Sequence, residues 1–197
     1  MLEHAVHKLV ESQIEQGALK EEDRNLYRYG YQILIEFAIN IIVSIFIAVF
    51  FRAFDIVIVF TAAYILIRGC AGGYHAKTSL GCFCVSACML IGVILLVQYI
   101  DGMGLTVWMP FVPEIFITPC IFAKTPIPDP NRPISENERV HFKRKVKQLY
   151  CLELAAAVLL QWFGKTTCAL TILAVHMIIF IMVILHILQN CKAARTA

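Results

Sequence analysis

Apolar runs long enough to cross a lipid bilayer recur along most of this chain, and they limit what it can fold into. Six are read from the sequence: Gln32 to Phe51, Phe54 to Ile67, Cys82 to Tyr99, Leu105 to Ala123, Leu149 to Phe163 and Cys168 to Gln189. About twenty apolar residues make one helical crossing. Inside lipid, a helix satisfies its backbone N–H and C=O groups within its own segment, whereas an open strand cannot. The expected fold is therefore all-α: a polytopic membrane protein with about six transmembrane helices and an N-terminal amphipathic helix. The run from Phe54 to Ile67 is short, which leaves both a tilted crossing and a partly re-entrant segment open. The fourth run carries Pro110, Pro113, Pro119 and Glu114, so a kink is expected there. Charged residues make up only 16% of the chain, against about 25% in soluble domains, which excludes a large water-soluble domain.

Residues 1–30 are mixed polar and lack the basic start, apolar stretch and small-residue cleavage site of a secretory signal. Leu2, Val6, Leu9, Val10 and Ile14 recur at helical spacing, with Glu3, His4, Lys8, Glu11, Ser12 and Glu15 opposite. This predicts an amphipathic helix, either lying on the membrane surface or packed on the rest of the protein. Arg24, Tyr27, Arg28, Tyr29 and Tyr31 mark a water–lipid boundary. Residues 31–191 form one membrane domain with polar loops at 68–81 and 124–148, followed by a short tail at 192–197.

Of the 17 lysines and arginines, only Arg52 and Lys165 fall on one side of such a six-span arrangement. The positive-inside rule then places both termini and both long loops in the cytoplasm, in the cell membrane. No nucleic-acid partner is expected. The 8 cysteines lie in or beside apolar runs without the regular spacing of a disulfide framework. Most are expected to behave as small apolar groups in helix packing.

The segment Arg68-Gly69-Cys70-Ala71-Gly72-Gly73-Tyr74-His75-Ala76-Lys77-Thr78-Ser79-Leu80-Gly81-Cys82 stands between two of these runs. Its glycines allow turns that a helix does not. On one straight helix, His75 and Cys82 would share a face but stand roughly 10 Å apart. Thr78 or Ser79 is a good helix cap. With Ser79 as cap, Cys82 falls in the first helical turn and His75 in the flexible stretch before it, so the loop can fold the imidazole back onto the thiol. Free N–H groups and the positive end of the helix dipole favour a thiolate at such a position. An imidazole beside it can take the thiol proton and later protonate a leaving amine. Arg68 and Lys77 add positive potential. Glu36, one turn inside the first span, suits pairing with Arg68 or His75.

Other readings stand beside this one. A polar loop with incidental residues is common. Cys84 and Cys88 share a helical face near Cys82, yet there is no C-x-x-C pair and no clear ligand set, so no metal and no cofactor is expected. A small membrane transporter or a metal-binding membrane protein is the alternative. His176 and His186 sit in the last span without a carboxylate near them in sequence and are expected to form interhelical hydrogen bonds.

Arg68, Gly72-Gly73, His75-Ala76-Lys77 and Cys82, with seven residues from His to Cys, resemble the signature of the accessory gene regulator B family of Gram-positive bacteria. Lys124-Thr125-Pro126 through Asn131-Arg132-Pro133-Ile134-Ser135 is similar to the family's second cytoplasmic loop. Length, span pattern and the amphipathic start fit as well. The resemblance implies a membrane cysteine endopeptidase that processes a quorum-sensing propeptide with an amphipathic leader, a signal segment and an acidic C-terminal tail. Cys82 is then the nucleophile and His75 the base. The tail leaves, a thioester remains on Cys82, and the substrate's own thiol or hydroxyl closes a thiolactone or lactone ring. The resemblance also implies a homodimer. Arg68, Gly73 and Lys77 beside the site, and Arg139, Lys143, Arg144 and Lys145 in the second loop, are the expected substrate-binding residues. The basic cluster suits an acidic peptide, and it equally suits topology and anionic headgroups.

Overall fold

The computed structural model describes residues 2–72, 79–104, 108–127 and 135–196; the side chains of residues 2–5, 33, 79, 80, 82 and 189–196 lie outside the description. The described residues are helical, with no strand among them. In chain order the helices are α1 (Leu2–Glu15), α2 (Arg24–Phe51), α3 (Phe54–Ala71), α4 (Ser79–Gly102), α5 (Glu114–Lys124), α6 (Glu136–Trp162) and α7 (Thr166–Thr196). Short 3₁₀ turns precede α2 at Glu21–Asp23 and α5 at Met109–Phe111.

Four segments are long and apolar enough to cross a bilayer: Glu21–Phe51, Phe54–Ala71, Phe83–Gly102 and Thr166–Leu188. The first has a mean hydropathy of 2.7, yet only 12% of it is buried. Phe46, Val49 and Phe50 project from it with 57% to 82% of their surface free. An apolar face of this size on a helix long enough to cross a bilayer is suited to lipid and not to water. The protein is thus an all-α membrane protein. The short run at Phe54 resolves into 18 helical residues, about 27 Å of rise, because the helix continues past Ile67 to Ala71.

Two of the expected spans take another form. The fourth is broken: a 3₁₀ turn, Pro113, and then an α5 of only 11 residues. The fifth is the second half of a longer α6, whose first half is the basic segment read as loop 124–148. That half is helical because Ser135 and Glu138 form a reciprocal capping box, satisfying two otherwise free N–H groups, and because the Lys and Arg residues after it are good helix formers. Residues 68–71, also read as loop, are the last turn of α3. Residues 1–30 are not one helix. The chain turns after Glu15 at Gly17, which adopts φ +71°, and residues from Arg24 onward belong to α2. α1 packs on α2, with Val6 and Val10 each 1% exposed and Arg24 bridging to Glu11 at 3.1 Å. Of the two readings of the amphipathic start, this one buries its apolar face against protein.

α3 and α7 pack together at the centre, α6 lies against both, α5 rests on α7, and α2 and α4 pack on each other. The core runs through Ile56, Phe60, Ile67, Ile94, Ile121, Tyr150, Val175 and Ile179. α2 turns into α3 within two residues. Arg52 there takes the left-handed conformation, and the amide of Ala53 donates to the carbonyl of Ala48, closing the helix end.

Candidate functional site

The chemistry-bearing segment begins where α3 ends. Arg68 lies in its last turn and is partly buried. Ala71 is fully buried, and Gly72 follows with φ +70°. This left-handed conformation favours glycine. A Cβ at Gly72 would also collide with the carbonyl oxygen of Ile127. Ile127 is 3% exposed, and its amide donates to the carbonyl of Ala71 at 2.8 Å. The segment leaving α5 is therefore strapped across the end of α3. Thr125 completes the strap, its hydroxyl and amide both donating to the carbonyl of Ile121.

α4 starts at Ser79, which is the first helical residue and not the residue before it. Cys82 occupies the first turn, as the spacing predicts. The positive end of the helix dipole faces that turn. Gly73, His75 and Lys77 lie outside the described residues, as does the side chain of Cys82, so the His75–Cys82 geometry expected from the sequence is not among the described contacts. One to two turns beyond Cys82, Ser86, Met89 and Leu90 line a cavity of about 160 Å³ shared with Asn40 and Ser44 of α2 and Thr61 and Tyr64 of α3. Glu36 accepts from Gln32, one turn earlier on its own helix.

The remaining expected substrate contacts share one element. Arg139, Lys143, Arg144 and Lys145 lie on the first half of α6 and are exposed, together with Lys147. The buried stripe of the same helix is Val146, Tyr150, Glu153, Ala157 and Gln161, a three-to-four-residue spacing that faces α7. Lys145 and Gln148 line a groove of about 630 Å³ with Cys70, Ile65 and Leu66 of α3. This groove joins the basic half of α6 to α3, the helix that ends at Ala71.

The family model for accessory gene regulator B matches residues 3–190. The chain belongs to the accessory gene regulator B family. The match includes the His75-to-Cys82 segment, the strap after α5 and the basic half of α6. An AgrB-like protein of Lactiplantibacillus plantarum is 26% identical over 110 residues, which is 55% of this chain and 50% of that protein. The chain spans about half the length of this curated relative. No solved structure matches it.

Sequence reasoning missed one group of buried residues. His176 makes the interhelical hydrogen bond expected of it, but its partners are carboxylates that lie far off in sequence: its Nδ1 stands 3.2 Å from Glu114 Oε2 and its Nε2 3.4 Å from Glu153 Oε2. The two carboxylates come from α5 and α6, 62 and 23 residues away in sequence, beyond the reach of any local pattern. Glu114 within an apolar run was the available signal, since an ionisable residue at such a place marks a specific interaction.

Proposed function

We propose that this protein is a membrane cysteine endopeptidase that removes the acidic C-terminal tail of a quorum-sensing propeptide. The observation that carries this reading is a family match over nearly the whole chain that includes a histidine and a cysteine seven residues apart, the cysteine in the first turn of a helix. A thiol at a helix N-terminus is the more readily ionised one, and N–H groups of that turn suit the oxyanion of a tetrahedral intermediate.

In this reading His75 takes the Cys82 proton and the thiolate attacks the carbonyl joining signal to tail. The C–N bond breaks, His75 protonates the leaving amine, and the acyl group remains as a thioester on Cys82. A thiol or hydroxyl within the acyl segment then attacks the thioester carbonyl and expels the Cys82 thiolate. A cyclic thiolactone or lactone leaves. The ring closes without a nucleotide because the thioester retains the acyl group's reactivity. Arg139, Lys143, Arg144 and Lys145 attract the acidic tail, while Arg68, Gly73 and Lys77 flank the reacting bond. The active site lies at the cytoplasmic face of the cell membrane, and the enzyme acts as a homodimer.

The test uses the purified full-length protein in lipid, mixed with a candidate propeptide encoded beside its gene. Intact-mass spectrometry is expected to detect an acyl adduct on Cys82. Cys82→Ala and His75→Ala are each expected to abolish cleavage while the protein still inserts. Cleavage by Cys82→Ala at the wild-type rate eliminates this nucleophile. Metal in the purified protein with no acyl-enzyme favours the alternative, a small membrane transporter or metal-binding membrane protein.

A further inference from the structure

Where α5, α6 and α7 meet, four polar side chains lie in the protein interior. His176 is 0% exposed, Tyr150 0%, and Glu114 and Glu153 6% each. The imidazole stacks on the Tyr150 ring with centroids 4.0 Å apart. No lysine or arginine pairs with either carboxylate among the described ion pairs.

Hydrogen-bond directions fix most of the protons. Thr118 donates its hydroxyl to the Tyr150 oxygen at 3.1 Å, and Tyr150 donates its own hydroxyl to Glu114 Oε2. With Glu114 Oε2 accepting from Tyr150 as a carboxylate, His176 Nδ1, 3.2 Å from the same oxygen, is placed to donate to it. In a neutral imidazole of this tautomer, Nε2 is a bare lone pair. It faces Glu153 Oε2 at 3.4 Å. Neither that nitrogen nor either Glu153 oxygen has a partner in normal hydrogen-bond geometry. An ionised carboxylate against a lone pair is repulsive, and both groups are costly to bury unpaired.

We propose that His176 and Glu153 share one further buried proton, making this cluster a proton-binding site within the membrane domain. The proton rests either on Nε2, as an imidazolium between two carboxylates, or on Glu153, as an acid donating to Nε2. Both arrangements hold the same number of protons and give the cluster one negative charge instead of two. The ligand is a proton and not a metal ion: the two ring nitrogens point at different carboxylates, and among the described residues no three His, Cys, Asp or Glu side chains are set to hold a metal.

The groups facing the imidazole are Glu114 from α5 and Tyr150 and Glu153 from α6. α3 and α4 also pack on α7, but their described charged neighbours of this helix, Asp55 and Asp101, act at Cys168 and Thr167, about two turns away. Lys147 lies over Phe122, which meets the edge of Tyr150.

The proton is counted by unfolding the full-length protein in weakly buffered mild detergent at about pH 8 and titrating what is released. An unfolded chain at that pH keeps its histidines neutral and its carboxylates ionised, so the extra proton is set free. Glu153→Gln, whose amide donates to Nε2 without adding a proton, is expected to release one proton fewer than the wild type. Equal release from the two proteins overturns the proposal, as does stoichiometric zinc in the wild type that is lost in Glu153→Gln. A second measurement needs no variant: nitrogen-15 spectra of the histidine-labelled wild type at the same pH are expected to show one imidazole with both nitrogens hydrogen-bonded. A spectrum in which every imidazole has a free lone pair overturns the proposal even if Glu153→Gln does not fold.

Discussion

The amide of Ile127 donates a 2.8 Å hydrogen bond to the carbonyl of Ala71, tying the segment after α5 to the last residue of α3. The next residue, Gly72, has a left-handed backbone and lies against the Ile127 carbonyl. The stretch that carries His75 thus starts from an anchored point.

Gly72→Ala tests that anchor. The substitution places a methyl group against backbone, which cannot yield as a flexible side chain does, and in a conformation that costs an L-residue about 1 kcal/mol or more. The expected outcome is a fall in propeptide cleavage of about tenfold or more, with membrane insertion retained. Cleavage at the wild-type rate in reconstituted vesicles means that the contact does not position the site.

Ile127→Ala removes a buried side chain from the same strap. Substitutions of this kind cost about 2–5 kcal/mol where the cavity cannot collapse. The lower end is expected here, because the residue sits at the edge of the helix bundle. Faster amide hydrogen exchange at Ile127 and at residues 71–72, with exchange in the centre of α7 unchanged, is the diagnostic pattern.

The start of α6 depends on Ser135. Ser135→Ala removes the side-chain acceptor from the Glu138 amide and is expected to destabilise the first turns by about 1 kcal/mol. Hydrogen exchange should rise over 136–142 and stay constant beyond Val146, where the helix is packed. Exchange that rises equally along all of α6 argues against a local cap.

The exposed basic face of α6 is expected to act through charge and not through packing. Lys143→Glu combined with Arg144→Glu leaves the buried stripe intact. It should raise the KM for an acidic-tailed propeptide about tenfold with kcat little changed, and the wild-type KM should rise with salt. An unchanged KM assigns these residues to topology or headgroup binding instead.

Tyr150→Phe removes one hydroxyl from the buried cluster. It strips Glu114 of a donor and Thr118 of an acceptor. Leaving buried groups unsatisfied costs about 1–3 kcal/mol, to be read from thermal unfolding in detergent. A variant as stable as the wild type shows that Glu114 finds another donor.

What the sequence determined by itself are the properties set by local composition. Long apolar runs need helices wherever they meet lipid, so the all-α membrane character, the end of α2 at Phe51 and the start of α3 at Phe54 follow from the order of residues. Cys82 lies in the first turn of α4, where the sequence places it, although the helix starts at Ser79 itself. The tertiary structure decided whatever depends on partners far apart in the chain. Whether α1 buries Val6 and Val10 depends on α2. The fourth apolar run became a short α5 because Pro113 precedes it and Glu114 at its start found Tyr150 and His176. His176 gained its two carboxylates only when α5, α6 and α7 packed together, and Ala71 met Ile127 only because α5 returns to the end of α3. Residue spacing encodes periodicity along one helix; it carries no record of which helices become neighbours, and that is settled by how apolar faces and buried charges are satisfied together.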